Sequence, residues 1–252
     1  MFRTANPALR EQIFENAAAT GFAESTMTIV GTARKTGILL LLVILTAGFT
    51  WRLFYGAADV ASGAAAVMPW MMVGIFGGLI VAIVTIIKRD WAMITAPIYA
   101  LLEGLALGGI SAIFEQAYPS IVMPAVGLTF GTLAVMLIIY ANRWIQVTEK
   151  FRIGIIAATG AICLVYLATF VMNLFGTTIP YIHSGGPIGI IFSVVVIVIA
   201  ALNLVLDFDL IERGSEMGAP KYMEWYGAFG LMVTLIWLYL EFLRLLAKMR
   251  QR

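Results

Sequence analysis

The sequence is nearly without thiols and imidazoles: 252 residues carry one cysteine and one histidine. Cys163 alone cannot form an intramolecular disulfide or a cysteine-based zinc cluster. His183 lies in the stretch Thr177–Ser184, away from any assured acid or nucleophile, and reads as a solvated loop residue rather than a catalytic base. No Gly-rich phosphate loop and no metal-ligand His/Cys cluster is evident, so no permanently bound cofactor and no enzymatic activity are expected. Charge is also scarce, at 12% of residues with a formal net charge of +2, which is too little to suggest a nucleic-acid partner. The start of the chain lacks a compact apolar core followed by a small-residue cleavage site, so it does not read as a secretory signal peptide.

Apolar residues, in contrast, make up 62% of the chain, and the mean hydropathy is +0.97. A soluble protein of this length would not need repeated apolar stretches long enough to cross a bilayer. After a mixed, polar segment 1–33, with a possible surface helix over Ala8–Ala19, seven apolar runs follow within 34–252. They cover Thr36–Tyr55, Val67–Ile87, Trp91–Phe114, Ile121–Ala141, Ile153–Phe175, Ile188–Asp209 and Tyr226–Ala247. Each is near the ~20 residues that a helix needs to cross ~30 Å of hydrocarbon. Barrel strands would be shorter and would alternate polar with apolar. The expected class is therefore an all-α polytopic membrane protein with lipid contact along its length. Pro97 and Pro124 allow kinks or tilted ends.

Basic residues set the expected orientation. Arg3, Arg10, Arg34, Lys35, Lys88, Arg89, Arg143, Lys150, Arg152, Arg213 and Lys221 fall on the side of the N-terminus, and Arg52 is the only base in the opposite connections. That asymmetry places the N-terminus in the cytoplasm, and the short tail fits a bacterial inner membrane. Lys248, Arg250 and Arg252 oppose the rule, so either the last segment crosses despite its charges or one segment is re-entrant; seven crossings are the favoured solution. Trp51, Trp70, Trp91, Trp144 and Trp225 fit interfacial belts. Gly74 with Gly78, Gly104 with Gly108, and Gly127 with Gly131 are spaced for close helix packing, which in lipid relies on dispersion contacts between approaching backbones.

The polar residues at membrane depth are Glu103, Asn203, Asp207, Asp209 and Glu241. Ionisable groups there are costly and point to function. Asp207 and Asp209 are two positions apart and point about 200° from one another, so at most one faces any single partner. Asp209 and Glu212 share a face, while Glu241 has Arg244 three positions on, within reach of an intrahelical ion pair. Two carboxylates brought together in low dielectric cannot both ionise cheaply, so such a pair is a proton switch and a cation site at once.

The segment Leu206-Asp207-Phe208-Asp209-Leu210-Ile211-Glu212, followed by Leu238-Tyr239-Leu240-Glu241-Phe242-Leu243-Arg244-Leu245-Leu246, resembles the last two spans of the Bax-inhibitor family. Pro97 with Glu103-Gly104 is similar to members of its bacterial branch. The resemblance implies seven transmembrane helices with the last helix central, and a pH-sensitive calcium leak gated by paired acids. It implies that Asp209 and Glu241 bind the ion, sense pH and act as its metal ligands. Asp207 has no counterpart in the family pattern and is expected as a further ion-binding or pH-sensing acid near the ion path, with Glu103, Glu212 and Arg244 as auxiliary residues. Calcium and protons are then the transported or sensed species. Glu replaces the more usual Asp at 241. A plain hairpin turning near Ala219 would set Asp209 opposite about Phe229, twelve residues or about 18 Å short of Glu241, so the pairing requires irregular backbone within 216–230. The alternative function is an interaction protein that modulates a cell-death factor or a membrane-bound protease, with the N-terminal tail as the segment that would carry partner binding.

Overall fold

In a computed structural model, which describes residues 26–176 and 185–251, the seven apolar runs form seven helices. These are α1 (Ile29–Tyr55), α2 (Val60–Ile87), α3 (Ala92–Ala117), α4 (Val122–Ala141), α5 (Glu149–Leu174), α6 (Pro187–Glu216) and α7 (Met223–Arg250), with a short 3-10 turn at Arg89–Trp91. The segment Ala8–Ala19 and His183 lie outside the described residues. No strand forms among the described residues, and the only extended pairing is a bridge between Thr26 and Pro220. All seven helices are long and apolar enough to cross a membrane, and α7 is the most enclosed: 67% of its most apolar stretch is buried, against 17% for α4.

Most of the helices extend beyond the apolar runs because capping, rather than hydropathy, sets their ends. α1 begins at Ile29, ahead of Thr36, where the Thr28 hydroxyl accepts from the Gly31 N–H at 2.9 Å. Asp59 and Ser62 form a reciprocal capping box at the start of α2, and the Thr148 hydroxyl accepts from Phe151 N–H at 3.2 Å before α5. Such caps satisfy backbone donors that a helix leaves without partners. Pro97 stands inside α3, whereas Pro124 is in the first turn of α4, where the missing N–H removes no intrahelical bond.

The described chain divides into two compact units. One comprises residues 26–119 and 210–233, and so holds α1, α2, α3 and the adjoining ends of α6 and α7. Its helices approach at glycine. A Cβ at Gly74 would meet the Leu102 carbonyl oxygen at 2.5 Å, and one at Gly78 would meet Glu103 Oε1 at 2.7 Å. At Gly104 and Gly108 it would run into Val43, Thr46, Ala47 and Thr50 of α1. Thr46 and Thr50 return their hydroxyls to carbonyls of their own helix, so this seam holds no unsatisfied hydroxyl. Phe54, Val67, Met71 and Ala112 close the core at one end. At the other, the fully buried Glu224 accepts from Thr28 N–H (2.9 Å), Thr28 Oγ1 (3.0 Å), Lys221 Nζ (2.8 Å) and Lys35 Nζ, tying the start of α1 to the start of α7.

The other unit comprises residues 120–209 and 234–251, that is α4, α5, α6 up to Asp209 and α7 from Thr234. Here the expectation of glycine packing fails: a Cβ at Gly127 or Gly131 would meet nothing within 4 Å. Spacing of small residues creates the opportunity for close approach, but a helix uses it only where another backbone arrives. This unit is instead held by buried polar contacts.

Candidate functional site

Within the second unit, α6 and α7 pack antiparallel in a register that can be read from two hydrogen bonds. Near the start of α6, Lys248 Nζ donates to Ser193 Oγ at 2.8 Å and to the Gly189 carbonyl at 3.0 Å. Further along, Thr234 Oγ1 donates to Asp207 Oδ2 at 2.6 Å. Ser193 and Asp207 are fourteen residues apart, and so are Lys248 and Thr234. Both helices therefore rise ~21 Å between the two contacts, and a seven-residue stripe on each faces the other. On α7 the stripe is Thr234, Glu241, Lys248; on α6 it is Ser193, Ala200, Asp207. The register sets Glu241 level with Ala200, a small residue that is itself fully buried.

The burial of Lys248, at 7% exposed, explains one of the three bases that opposed the orientation rule; Arg250 is exposed. Lys248 is a packing residue of α7, and that helix continues to Arg250 as a full-length span.

Asp209 points away from this seam, as its two-residue offset from Asp207 requires. Its Oδ2 accepts from Arg152 Nη2 of α5 at 2.7 Å, and both side chains are buried, at 9% and 1% exposed. Glu149 Oε1 stands 3.7 Å from the same guanidinium. An ion pair removed from water gains Coulomb energy but loses hydration, and separating it leaves an uncompensated charge.

Glu241 is buried from water. Its Oε1 accepts from Tyr166 OH and from Arg244 Nη1, both at 2.6 Å, and the Arg244 guanidinium lies 5.1 Å from the Tyr166 ring centre. The intrahelical ion pair expected from the spacing is thus present, with a tyrosine of α5 added to it. The second oxygen, Oε2, is buried and has no hydrogen-bond donor among the described residues. Between the acids, Asn203 Nδ2 donates to Thr159 Oγ1 of α5 at 2.9 Å.

The structure does not bring Asp209 and Glu241 together. Continued from Asp207–Thr234, the register sets Asp209 level with about Met232, nine residues or ~14 Å from Glu241. Their partners on α5, Arg152 and Tyr166, are themselves about four turns apart. One ion cannot be held by both carboxylates in this conformation, and the two residues are not joint metal ligands in it. The acid of α6 that reaches α7 is Asp207, fully buried, rather than Asp209. Among the described residues, no three His, Cys, Asp or Glu side chains converge as a metal cage.

The remaining candidates lie apart from this seam. Glu103 is in the other unit, where Tyr99 hydrogen-bonds to it and Gly78 makes room for it. Glu212, one turn beyond Asp209 on α6, is half-buried. Sequence reading missed Arg152, Tyr166, Thr234 and Lys248 as site residues, having taken the bases as orientation signals. The recurrence of Thr234, Glu241 and Lys248 at intervals of seven was the available clue, matched by Ser193, Ala200 and Asp207.

A sequence model of the family described as Bax inhibitor 1 like matches residues 6–251, nearly the whole chain. Neither the curated proteins nor the solved structures compared with the chain give a match.

Proposed function

The chain belongs to the Bax inhibitor 1 like family and is an integral membrane protein, and on that premise we propose that it is a pH-sensitive, cation-conducting protein of the calcium-leak type, with α6 and α7 carrying the gate. The observation that carries this reading is three carboxylates buried at membrane depth on these two helices, each with its own partners: Asp209 on Arg152, Asp207 on Thr234, and Glu241 on Tyr166 and Arg244. Buried ionisable groups are costly in a span and are retained where ions or protons move.

The three contacts act as separate latches rather than one shared pair. Protonation of Asp209 removes the nearer of two carboxylates that meet Arg152, so the guanidinium gains by moving toward the half-exposed Glu149 and water, which loosens α5 from α6. Glu241, with Oε1 committed to Tyr166 and Arg244 and Oε2 unbonded, keeps an oxygen for a passing cation. Asp207 holds α6 to α7 between them. Hard cations such as Ca²⁺ prefer several oxygen ligands, so conduction along the α6–α7 seam uses Asp207 and Glu241 in turn, supplemented by carbonyls and water, while Asp209 acts through its contact with α5. The N-terminus is cytoplasmic in this reading, and the membrane is a bacterial inner membrane.

The test is Ca²⁺ flux into proteoliposomes between pH 6 and 8. Asp209→Asn, which mimics the protonated acid, raises flux at pH 8 toward its value at pH 6. Glu241→Gln lowers flux at every pH. Unchanged flux for both variants across that range overturns the reading.

A further inference from the structure

At the end of the membrane opposite the Glu224 cluster, Arg52 stands in the last turn of α1, and its guanidinium has neither a hydrogen bond nor an ion pair among the described residues. It lines an open cavity of about 730 Å³ between the end of α1 and the start of α2. Phe49 and Leu53 form one wall, Gly56 and Ala58 of the turn leave the mouth wide, and Ala66 continues the other wall down α2. The cavity thus runs from the helix ends to a depth of ~9 Å along α2 at Ala66. Aromatic rings mark the same zone: Trp51 meets Tyr55 at a tilt with ring centres 5.1 Å apart, and Phe49 meets Trp70 edge-on at 5.4 Å. Rings of this kind collect at the boundary between headgroups and hydrocarbon.

The acid of this turn does not neutralise Arg52. Asp59 is turned to the α2 N-terminus, where its Oδ1 accepts from Ser62 N–H at 2.7 Å, and that backbone hydrogen bond holds its carboxyl below the ordinary range. Glu115, near Tyr55, is not among the cavity-lining residues. A partnerless guanidinium at headgroup level above an apolar trough has the shape and charge of a phospholipid: an anionic phosphate for a planar fork of donors, and an acyl chain for the wall.

We propose that the α1–α2 groove seats one phospholipid, its phosphate on Arg52 and an acyl chain along Phe49, Leu53 and Ala66. This site is independent of the conduction reading. Native mass spectrometry of the full-length, delipidated protein in detergent tests it, with phosphatidylglycerol, diacylglycerol of the same chains and inorganic phosphate as probes. One phosphatidylglycerol is retained by the unaltered protein, diacylglycerol at least about tenfold less, and inorganic phosphate does not displace the lipid. Arg52→Gln and Ala66→Trp each reduce retention about fivefold or more, and Arg52→Lys restores most of it. Retention unchanged by both Arg52→Gln and Ala66→Trp overturns the site. So does displacement by inorganic phosphate, which marks an ion site only, equal retention of diacylglycerol, which marks a groove without headgroup recognition, or a dimer that excludes lipid.

Discussion

The two units of this protein solve the same problem by different means. Helices in lipid gain little from the hydrophobic effect on meeting one another, so something else must hold them. In the unit built on α1, α2 and α3, backbones approach at Gly74, Gly78, Gly104 and Gly108, and dispersion contacts accumulate where a side chain would intrude. In the unit built on α4, α5 and the facing stretches of α6 and α7, Gly127, Gly131, Gly154 and Gly160 meet nothing within 4 Å. Buried ionic and hydrogen-bonded pairs take over the work there. Close backbone packing gives a rigid body with one arrangement. Polar latches can be released by a proton, and the second unit carries them along the length of its helices, whereas the first has its Glu224 cluster at one end.

Four substitutions probe that contrast. The largest effect is expected where a buried charge is stranded: Arg152→Leu leaves Asp209 without its guanidinium and destabilises the protein by roughly 3–5 kcal/mol, whereas Arg152→Leu with Asp209→Leu recovers most of the loss. Thermal unfolding in detergent compares the two. Next is Gly108→Val, which forces α1 from α3 and costs about 2–3 kcal/mol in the same assay, being an overpacked backbone contact. Thr234→Val removes the donor to Asp207 and costs about 1–2 kcal/mol. Smallest is Gly127→Ala, which stays within about 0.5 kcal/mol of the parent because its surroundings are open. If Gly127→Ala were as damaging as Gly108→Val, the division between glycine-packed and polar-latched units would fail.

How much of this the sequence disclosed depended on the kind of signal. Seven spans were legible because apolar length is a local property, and the helix ends beyond Thr36 or Val67 were not, because Thr28 and Asp59 extend the helices into polar sequence. The opposed directions of Asp207 and Asp209 followed from helix geometry and hold, since one reaches α7 and the other α5. Which of them reaches α7 could not be read from the motif alone, because that is fixed by a register anchored far away at Ser193 and Lys248. The depth difficulty foreseen for Asp209 and Glu241 persists at ~14 Å rather than ~18 Å, since the helices are paired three residues further along than a turn near Ala219 would give. Glycine spacing predicted contact at four of six positions and misled at Gly127 and Gly131, where no partner backbone arrives.

In the proposed function, the Arg152–Asp209 pair is a latch whose release by protonation opens a cation path. A double-variant cycle on Ca²⁺ flux into proteoliposomes at pH 8 tests it most directly. If the pair is one latch, Arg152→Gln and Asp209→Asn each raise flux, and the double variant is no more open than the more open single variant. Flux changes in the double variant that equal the product of the two single changes would contradict it, since residues that act independently do not share a latch.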